Sequence, residues 1–406
     1  MSENKVGKRV KVTIEKIVSG GDGLAHLSDG RVVFVSGGLP GEEVVIRLTQ
    51  CKHDFARAVI DTLITPSEIR GEPKCSYYGI CGGCDLQHVK DTHQIEMKRA
   101  VFRDTMARIG SIDVDSLDKN YQVVPGPLWE YRTRAKFHID KQHRRAGFLG
   151  KNTSDVVDIQ MCPILDHRLN QLLSQQKESW FSLPAHKEAA AQRKRQFSHH
   201  LHTIQTVAGD DGAVIEETTT VQTIAPKYLP SRKFVINGEV FFQSNQIMLS
   251  SLLDDLFSDL SGSKAMDLFS GVGTFAAFLQ DRYDQVIAVE RDRRCLQFAE
   301  KNLDLHKVLF YSDTVENWIK NKGEFGIDLI VVDPPRTGLP SSVVDIMLSW
   351  RPKKIIYISC NPVTLARDLK IMLRRGYHID KMRAYDFYPQ TTHLEAAAVI
   401  VRDSML

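Results

Sequence analysis

The sequence lacks any hydrophobic run close to the roughly 18 residues that a membrane-spanning helix needs. Its first ten residues, MSENKVGKRV, contain no apolar signal core. Internal repeats and low-complexity tracts are missing as well. We therefore expect a cytoplasmic protein, and a length of 406 residues suggests two or three folded domains.

A strong net charge is also absent. The formal net charge is +3 at pH 7, with 25% charged and 42% hydrophobic residues, which are ordinary values for a globular protein. This mild basic excess permits a nucleic-acid partner but does not by itself indicate one.

Cysteine occurs in an odd number, seven, and three of the seven lie within ten residues. In a chain without a signal core, such crowding favours metal binding or catalysis over a disulfide framework. The three are Cys75, Cys81 and Cys84, and the two glycines before Cys84 let the backbone turn around a metal. Cys162, followed by proline, is our candidate for a fourth ligand. Four thiolates suit zinc or an iron–sulfur cluster, and spacing alone slightly favours zinc.

Short strands separated by glycine-rich turns are predicted for residues 8–62. Two of these turns are Ser19–Gly23 and Ser36–Gly41. The pattern is typical of a small β-barrel of the OB type, a fold that commonly binds RNA. The lysines and arginines of these strands either contact phosphates or are simply solvated, and the sequence does not decide between the two.

The middle of the chain is predicted to contain one helix followed by many strands. Hydrophobic periodicity predicts the helix over residues 93–109. Short alternating strands are expected from about residue 123 to 240, with a hairpin turn at Gly209–Gly212. A basic run in this region could contact RNA, but a solvated loop is the better interpretation. The run comprises Arg193–Arg195, His199, His200 and His202.

Strand–helix alternation begins at Lys264 and indicates a parallel sheet covered by helices, with a ligand at the carboxyl ends of its strands. A glycine loop, Ser270–Thr274, follows the first strand, and the second ends in Glu290, where a carboxylate can bind two ribose hydroxyls. This spacing fits NAD as well as S-adenosylmethionine. Acidic strand ends at Asp267 and Asp313 suit a sulfonium and an amino group better than a pyrophosphate, and so favour S-adenosylmethionine.

Two residues are predicted to carry the chemistry. Cys360 ends a β-branched strand, and the following Asn361-Pro362 opens a helix. The positive end of that helix should lower the pKa of the thiol and favour the nucleophilic thiolate. Glu395 begins a buried terminal strand, where burial should raise its pKa and make it a better general base. We expect His393 to support this loop rather than to catalyse.

Almost end to end, the sequence resembles the RNA (uracil-5-)methyltransferases, which make 5-methyluridine in ribosomal and transfer RNA. The resemblance rests on a barrel similar to the TRAM domain, a Cys-x5-Cys-Gly-Gly-Cys cluster with a distant Cys-Pro, the glycine loop and four further motifs. These motifs are Phe241–Asn245, Asp333–Arg336, Ser359–Asp368 and Thr392–Glu395. The barrel and the cysteine cluster look most like the bacterial branch that methylates 23S ribosomal RNA, since bacterial transfer-RNA members lack both.

The resemblance implies a fold and its division into domains. It implies an α/β, Rossmann-like class I methyltransferase domain, an N-terminal OB-type TRAM barrel and a central β-rich iron–sulfur domain. The expected ranges are 1–63 for the barrel, 64–92 with 123–240 for the central domain, and 93–122 with 241–406 for the methyltransferase domain. The helix around 93–109 should therefore pack on the catalytic domain, although it precedes the central one.

The resemblance also implies roles for individual residues. Cys360 is expected to attack carbon 6 of uracil, and Glu395 to remove the carbon 5 proton after methylation. The four cysteines are expected to hold a [4Fe-4S] cluster, which overturns the preference for zinc. The cofactor positions of the family fall on Gln243, Phe269, Thr274, Glu290, Asp313 and Asp333. Thr274 departs from a more usual asparagine, and residues 183–230 match the family only loosely.

The expected partner is ribosomal RNA, 23S first and transfer RNA second, and we expect a monomer that does not bind membranes. Two other classes of function account for less of the sequence. A non-catalytic RNA-binding protein with a vestigial methyltransferase domain would not need intact cysteine, glutamate and cofactor positions. A nicotinamide-dependent oxidoreductase would give Cys360 and Glu395 no paired purpose.

Overall fold

The computed structural model of the protein describes residues 5–117, 123–183 and 201–403. Most of the predicted basic run, Arg193–Arg195 with His199 and His200, lies outside the described residues, whereas His202 lies in a strand. In the part of the chain that the structure describes, no helix is both long and apolar enough to cross a membrane.

Six strands near the N-terminus form a small closed barrel. They are β1 (Arg9–Thr13), β2 (Lys16–Ile17), β3 (Gly23–His26), β4 (Val32–Ser36), β5 (Glu43–Cys51) and β6 (Phe55–Thr65). β1 and β2 are two halves of one bent stretch of chain. The first half pairs with β5 and the second with β3, so the sheet, in the order β1-β5-β6-β4-β3-β2, closes on itself. Alternate side chains such as Val33, Val44 and Ile46 fill the interior, and the predicted barrel is confirmed.

A helical region and a second sheet follow the barrel. The elements are α1 (Asp91–Thr105), α2 (Val114–Leu117), β7 (Val123–Val124), β8 (Arg134–Asp140), β9 (Arg145–Leu149), β10 (Val156–Asp158), α3 (His167–Trp180), β11 (Leu201–Gly209), β12 (Gly212–Ile215), β13 (Thr220–Ile224) and β14 (Arg232–Ile236). Strands β8 to β12 form an antiparallel sheet in the order β10-β9-β8-β11-β12, and β13 pairs with β14. The predicted hairpin between β11 and β12 is confirmed, as is the helix over 93–109, which ends in a π-helical turn at Met106–Gly110.

The C-terminal half alternates helices and strands. Its elements are α4 (Gln246–Phe257), β15 (Gly262–Leu268), α5 (Ala276–Leu279), β16 (Tyr283–Glu290), α6 (Arg293–Asn302), β17 (Val308–Ser312), α7 (Val315–Asn321), β18 (Leu329–Val332), α8 (Ser341–Ser349), β19 (Lys354–Ser359), α9 (Pro362–Leu373), β20 (Tyr377–Tyr385) and β21 (Glu395–Arg402). The sheet order is β17-β16-β15-β18-β19-β21-β20-β7. Strands β15 to β19 run parallel, as predicted, and β21 is antiparallel to both neighbours.

Both faces of this sheet are covered, which explains why its strands are apolar on both sides. Along β19, Ile356 and Ile358 belong to the core beneath α4, α5 and α6, whereas Ile355 and Tyr357 belong to the core beneath α7, α8 and α9. Phe102 of α1 lies in the second core, so this helix packs on the catalytic domain as expected. The pairing of β7 with β20 brings residues 123 and 124 into the large sheet, just inside the range predicted for the central domain.

Candidate active site

Cys360 lies in the turn between β19 and α9. Asn361 caps α9, since its Oδ1 accepts a hydrogen bond from the Val363 amide at 3.1 Å, and Pro362 occupies the first turn of the helix. The Ser359 hydroxyl accepts a further bond from the Asn361 amide at 3.1 Å. These contacts hold the half-buried thiol at the carboxyl edge of the sheet, where the sequence predicted it.

The segment Asp333–Arg336, which follows the neighbouring strand β18, is tied to this turn. Asn361 Nδ2 donates a hydrogen bond to the Arg336 carbonyl at 2.9 Å. The Arg336 guanidinium lies close enough to the Cys360 thiol to favour its ionised form, and one of its nitrogens lies 3.3 Å from His393 Nε2. Arg336 therefore joins the three loops around the thiol. The sequence marked its motif but did not assign this role.

Glu395 is the first residue of β21 and is only 1% exposed. Its Oε1 has no hydrogen-bond partner among the described residues. Burial, reinforced by the Asp333 carboxylate and opposed by Arg336, raises the pKa of Glu395 well above its usual value. The predicted direction of this shift is confirmed. Because an unpartnered buried carboxyl group costs stability, its position indicates a functional role.

The electrostatics of the thiol differ from the prediction. Burial raises the pKa of Cys360 to about 11, and the carboxyl groups of Glu395 and Asp333 add to the rise while Arg336 opposes it. Burial likewise raises the pKa of Asp333 to about 7. The prediction that the helix end would lower the pKa of Cys360 is therefore wrong for the substrate-free protein. Loss of water and two nearby carboxyl groups outweigh the helix end.

The loop that leads to Glu395 is held by a side chain of α1. Lys98 Nζ lies 2.6 Å from Asp386 Oδ1, and both side chains are almost fully buried. The same ammonium donates hydrogen bonds to the carbonyls of Tyr388 at 3.0 Å and His393 at 3.2 Å. Sequence reasoning missed Lys98 because its ion-pair partner lies 288 residues away and no motif marks it.

Two aromatic side chains of this loop lie near the residues already described: Tyr388 near Glu395 and Cys360, and His393 beside Arg336. Burial, followed by the charges of Glu395 and Cys360, raises the pKa of Tyr388 well above its usual value, so its hydroxyl stays protonated. Burial and the neighbouring Arg336 lower the pKa of His393, so its ring is neutral at neutral pH. The supporting role expected for His393 is consistent with its contact to Arg336 and stays a prediction.

The glycine loop makes a sharp turn after β15. Phe269 has a φ of 68°, a left-handed conformation that is rare for an aromatic residue, and Gly273 has a φ of 85°. A Cβ atom on Gly273 would also lie 2.7 Å from Leu303, so only glycine fits there. Such strained turns commonly occur where backbone must approach a ligand.

The predicted cofactor residues of β15 to β18 meet at the carboxyl edge of the sheet. Glu290 accepts hydrogen bonds from the amides of Gly271 at 3.0 Å and Asp292 at 2.8 Å, which fix its carboxylate beside the glycine turn. The Asp313 amide donates a hydrogen bond to the Glu290 carbonyl at 3.1 Å. Phe269, Thr274 and Asp333 lie at the ends of β15 and β18, within or beside the same edge. Their contact with a cofactor stays a prediction.

Three buried polar atoms in this region have no hydrogen-bond partner in the part of the chain described. They are Gln243 Oε1, Ser270 Oγ and Asp267 Oδ1. Burial raises the pKa of Asp267 to about 7, with the charges of Asp333 and Glu290 contributing. Orphaned buried atoms at a strand edge indicate a polar ligand. The predicted cofactor set contains Gln243 but omits Ser270, the first residue of the predicted loop. It also omits Asp267, although the acidic end of β15 was part of the argument for S-adenosylmethionine.

The four cysteines proposed as metal ligands are free and half-buried. Burial raises the pKa of Cys84 to about 12, and the neighbouring thiols of Cys162, Cys81 and Cys75 contribute. The sulfur of Cys81 accepts a hydrogen bond from the Gly83 amide at 3.4 Å. Cys162 thus lies near enough to Cys84 and Cys75 for their charges to interact, although 78 residues of sequence separate it from Cys84. No three side chains of His, Cys, Asp or Glu within the described ranges are arranged to hold a single metal ion.

A cavity of about 220 Å³ lies beside Cys360, between the barrel and the catalytic loops. Its wall includes the barrel turn, residues 17–20, together with Met97, Phe102 and Arg336. Gly21 of the same turn packs directly against the side chain of Thr392. The barrel therefore contributes to the pocket that contains the thiol, and is not a separate appendage.

Known proteins match the chain along nearly its whole length. The TRAM domain model matches residues 3–60, the methyltransferase small domain model residues 233–347, and the tRNA (uracil-5-)-methyltransferase model residues 319–403. The 23S rRNA (uracil(1939)-C(5))-methyltransferase RlmD of Vibrio campbellii is 30% identical, over 96% of this chain and 95% of its own. An uncharacterized RNA methyltransferase of Thermotoga maritima is 29% identical, over 97% of this chain and 99% of its own.

A solved structure shares the fold. It is that of the Pyrococcus abyssi tRNA (uracil-54, C5)-methyltransferase in complex with S-adenosyl-L-homocysteine, with a TM-score of 0.70 and 24% identity. It covers 97% of this chain and 100% of its own, and supports the class I methyltransferase fold. With a 30% identical relative aligned over almost the full length of both proteins, the chain belongs to the RNA (uracil-5-)methyltransferase family.

Proposed function

We propose that this protein transfers a methyl group from S-adenosylmethionine to carbon 5 of a uridine in 23S ribosomal RNA. One observation carries the proposal, namely that Cys360 and Glu395 lie at adjacent ends of the paired strands β19 and β21, where Ser359 is opposite Ala396. The unpartnered Glu395 carboxyl group is close enough there to raise the pKa of the thiol. The relatives from Vibrio that bear the 23S rRNA name match the chain over its whole length and favour ribosomal over transfer RNA.

Cys360 has the nucleophilic role. Carbon 5 of uracil is too weak a nucleophile to accept a methyl group directly, so a bond from the Cys360 sulfur to carbon 6 is needed to raise electron density at carbon 5. The thiol gives its proton to solvent before that bond forms, so the attacking group is the thiolate. The nearby Arg336 guanidinium favours the thiolate against the two carboxyl groups.

The acidic edge of the sheet suits the methyl donor. Carbon 5 takes the methyl group in an in-line displacement, for which donor and base must be held in one geometry. Gln243, Phe269, Thr274, Glu290, Asp313 and Asp333 are the residues proposed to hold the donor. The buried Asp267 and the orphaned oxygen of Gln243 are suitable acceptors for the amino groups of S-adenosylmethionine.

Glu395 has the role of general base. After methylation, carbon 5 carries both a methyl group and a proton, and aromaticity returns only when that proton leaves. Glu395 takes the proton, the electron pair re-forms the double bond to carbon 6, and the Cys360 sulfur departs. Burial suits Glu395 to this task because a raised pKa makes a carboxylate a stronger base.

The four cysteines fit a [4Fe-4S] cluster as its ligands. They are Cys75, Cys81, Cys84 and Cys162. Two observations support this: the other three thiols all contribute to the raised pKa of Cys84, and the Gly83 amide donates a hydrogen bond to the Cys81 sulfur. Each iron of such a cluster takes one thiolate, so the four sulfurs need not converge on one point as zinc would require. The cluster would cross-link the central domain, and no step of the methylation passes through it.

The proposal is tested with labelled S-adenosylmethionine and two unmodified transcripts, 23S ribosomal RNA and a transfer RNA. We expect label at carbon 5 of one ribosomal uridine and none on the transfer RNA. Label confined to the transfer RNA would overturn the choice of substrate while keeping the chemistry. No label on either, with no heat detected on titration of S-adenosylmethionine, would favour a non-catalytic RNA-binding protein. The Cys360→Ala variant is the control for chemistry at the proposed site.

A further inference from the structure

The cysteine segment and the loop that carries Glu395 are hydrogen-bonded to each other. Asp85, which directly follows Cys84, accepts two bonds on Oδ2 from Thr392, one from the amide at 3.0 Å and one from the hydroxyl at 2.7 Å. The amides of Asp85 and Leu86 both donate to the Gln390 carbonyl, at 3.1 and 3.0 Å. These contacts join segments about 300 residues apart in sequence. One of the joined residues, Thr392, lies three residues before the proposed base, Glu395.

Both ends of this connection are themselves fixed. The Tyr78 hydroxyl donates to the Asp85 carbonyl at 2.8 Å, which orients the residue within the cysteine segment. Gln390 is fully buried and has a φ of 67°, a strained conformation that needs support from its surroundings. Its amide donates to Gln94 Oε1 at 3.1 Å, and the cysteine segment supplies the contacts on its carbonyl.

The position of the Glu395 carboxyl group depends on this loop. Its Oε1 has no hydrogen-bond partner within the described residues, so no hydrogen bond fixes that oxygen, and its place depends on the backbone that carries the residue and on the packing around it. Cys360 is different, because Asn361 and Arg336 hold its turn from another side of the pocket. A disturbance at Asp85 should therefore reach the base but not the nucleophile.

We propose that Asp85 is a positioning residue for Glu395. This inference rests on the proposed function and assigns Asp85 to a single step, the removal of the carbon 5 proton from the methylated adduct. In that step the proton passes to the Glu395 carboxylate, the carbon–hydrogen electrons form the double bond to carbon 6, and the Cys360 sulfur leaves as thiolate. When Glu395 is displaced, the adduct forms but persists.

The test is the Asp85→Ala variant in single-turnover reactions, with adduct formation and adduct release followed separately on denaturing gels. We expect formation at the wild-type rate and release slowed about tenfold or more, the scale of loss that a misplaced catalytic group produces. Thr392→Val, which removes the hydroxyl donor at 2.7 Å but keeps the amide bond, should slow release in the same direction by less. It serves as the second variant if Asp85→Ala does not fold.

Two controls separate positioning from general stability and from the proposed function. Asp61→Ala removes a carboxylate that pairs with Arg9 at 2.7 Å on the barrel, and should leave both rates unchanged. RNA carrying 5-fluorouridine should trap wild type and Asp85→Ala at equal rates. Its carbon 5 carries fluorine in place of the hydrogen that is removed as a proton, so the adduct forms but cannot be released. If formation and release fall together in Asp85→Ala, or release stays normal, the positioning role is wrong. If the wild type traps no fluorinated RNA, the proposed function itself fails.

Discussion

The Cys360 sulfur lies near two carboxyl groups and one guanidinium group. Asp333 and Glu395 disfavour the thiolate, whereas Arg336 favours it. The sequence could single out Cys360 and Glu395 as the proposed nucleophile and base, because each lies at a strand end beside a recognisable motif. It could not give the direction of the thiol's pKa shift. That direction depends on carboxyl groups that come from two other strand ends and on how deeply the turn is buried.

The raised pKa values predict how the rate depends on pH. Burial raises the pKa of Asp333 to about 7 and that of Cys360 to about 11, so these two groups lose their protons at and above neutral pH. Burial also raises the pKa of Glu395 well above its usual value, so it ionises at higher pH than an ordinary carboxyl group. Methyl transfer should therefore accelerate from about pH 6 to about pH 9, by up to tenfold per unit. Single-turnover rates across that range are the measurement. A rate that is flat above about pH 5.5 would contradict the raised pKa values, because an ordinary carboxylate base is fully ionised there.

At the scale of elements, α1 supports the catalytic loop through one buried ion pair. Lys98 and Asp386 are almost fully buried, and the same ammonium satisfies two loop carbonyls. Periodicity predicted the helix but not the support that Lys98 gives to the loop. Lys98 falls among the apolar positions that the pattern uses, and its partner is remote in sequence. The packing of α1 on the catalytic domain followed from the family resemblance rather than from the pattern of residues.

Replacing Lys98 by methionine should be strongly destabilising. The change leaves Asp386 buried without its counter-ion, and breaking such a pair costs about 3–5 kcal/mol of unfolding free energy. Urea unfolding is the measurement. Lys11→Met is the matched control, since its partner Glu43 and the lysine itself are largely exposed, and its loss should cost under about 1 kcal/mol. The double variant Lys98→Met, Asp386→Leu should recover part of the loss, and equal losses for Lys98→Met and Lys11→Met would refute the assignment.

At the scale of the whole molecule, the catalytic sheet, the barrel and the cysteine segment meet at one loop. Gly21 of the barrel packs on Thr392, and Asp85 of the cysteine segment binds the same residue. The barrel and the parallel sheet could be predicted, because strand spacing, glycine turns and strand–helix alternation are local signals. Their meeting point could not, because contacts between distant segments leave no periodicity in the sequence.

The proposed cluster gives a prediction at this scale. Protein purified without oxygen should contain the iron and the visible absorbance of a [4Fe-4S] cluster, and Cys84→Ser should lose both and melt at a lower temperature. Cys51→Ser is the control, because Cys51 is half-buried like Cys84 but lies in the barrel. Zinc in place of iron would favour the alternative that the cysteine spacing suggested, namely a zinc site. Iron retained in Cys84→Ser would remove Cys84 from the ligand set.

The central claim is that Cys360 forms the covalent bond to RNA and Glu395 releases it. The most direct measurement is incubation of Glu395→Gln with unmodified 23S transcript and labelled S-adenosylmethionine, followed by a denaturing gel. Glutamine keeps the size of the side chain but cannot accept the carbon 5 proton. We expect a methylated protein–RNA band that resists SDS, with turnover reduced about a hundredfold or more. The double variant Cys360→Ala, Glu395→Gln should give no band. Normal turnover by Glu395→Gln, or a band that persists without Cys360, would contradict the account.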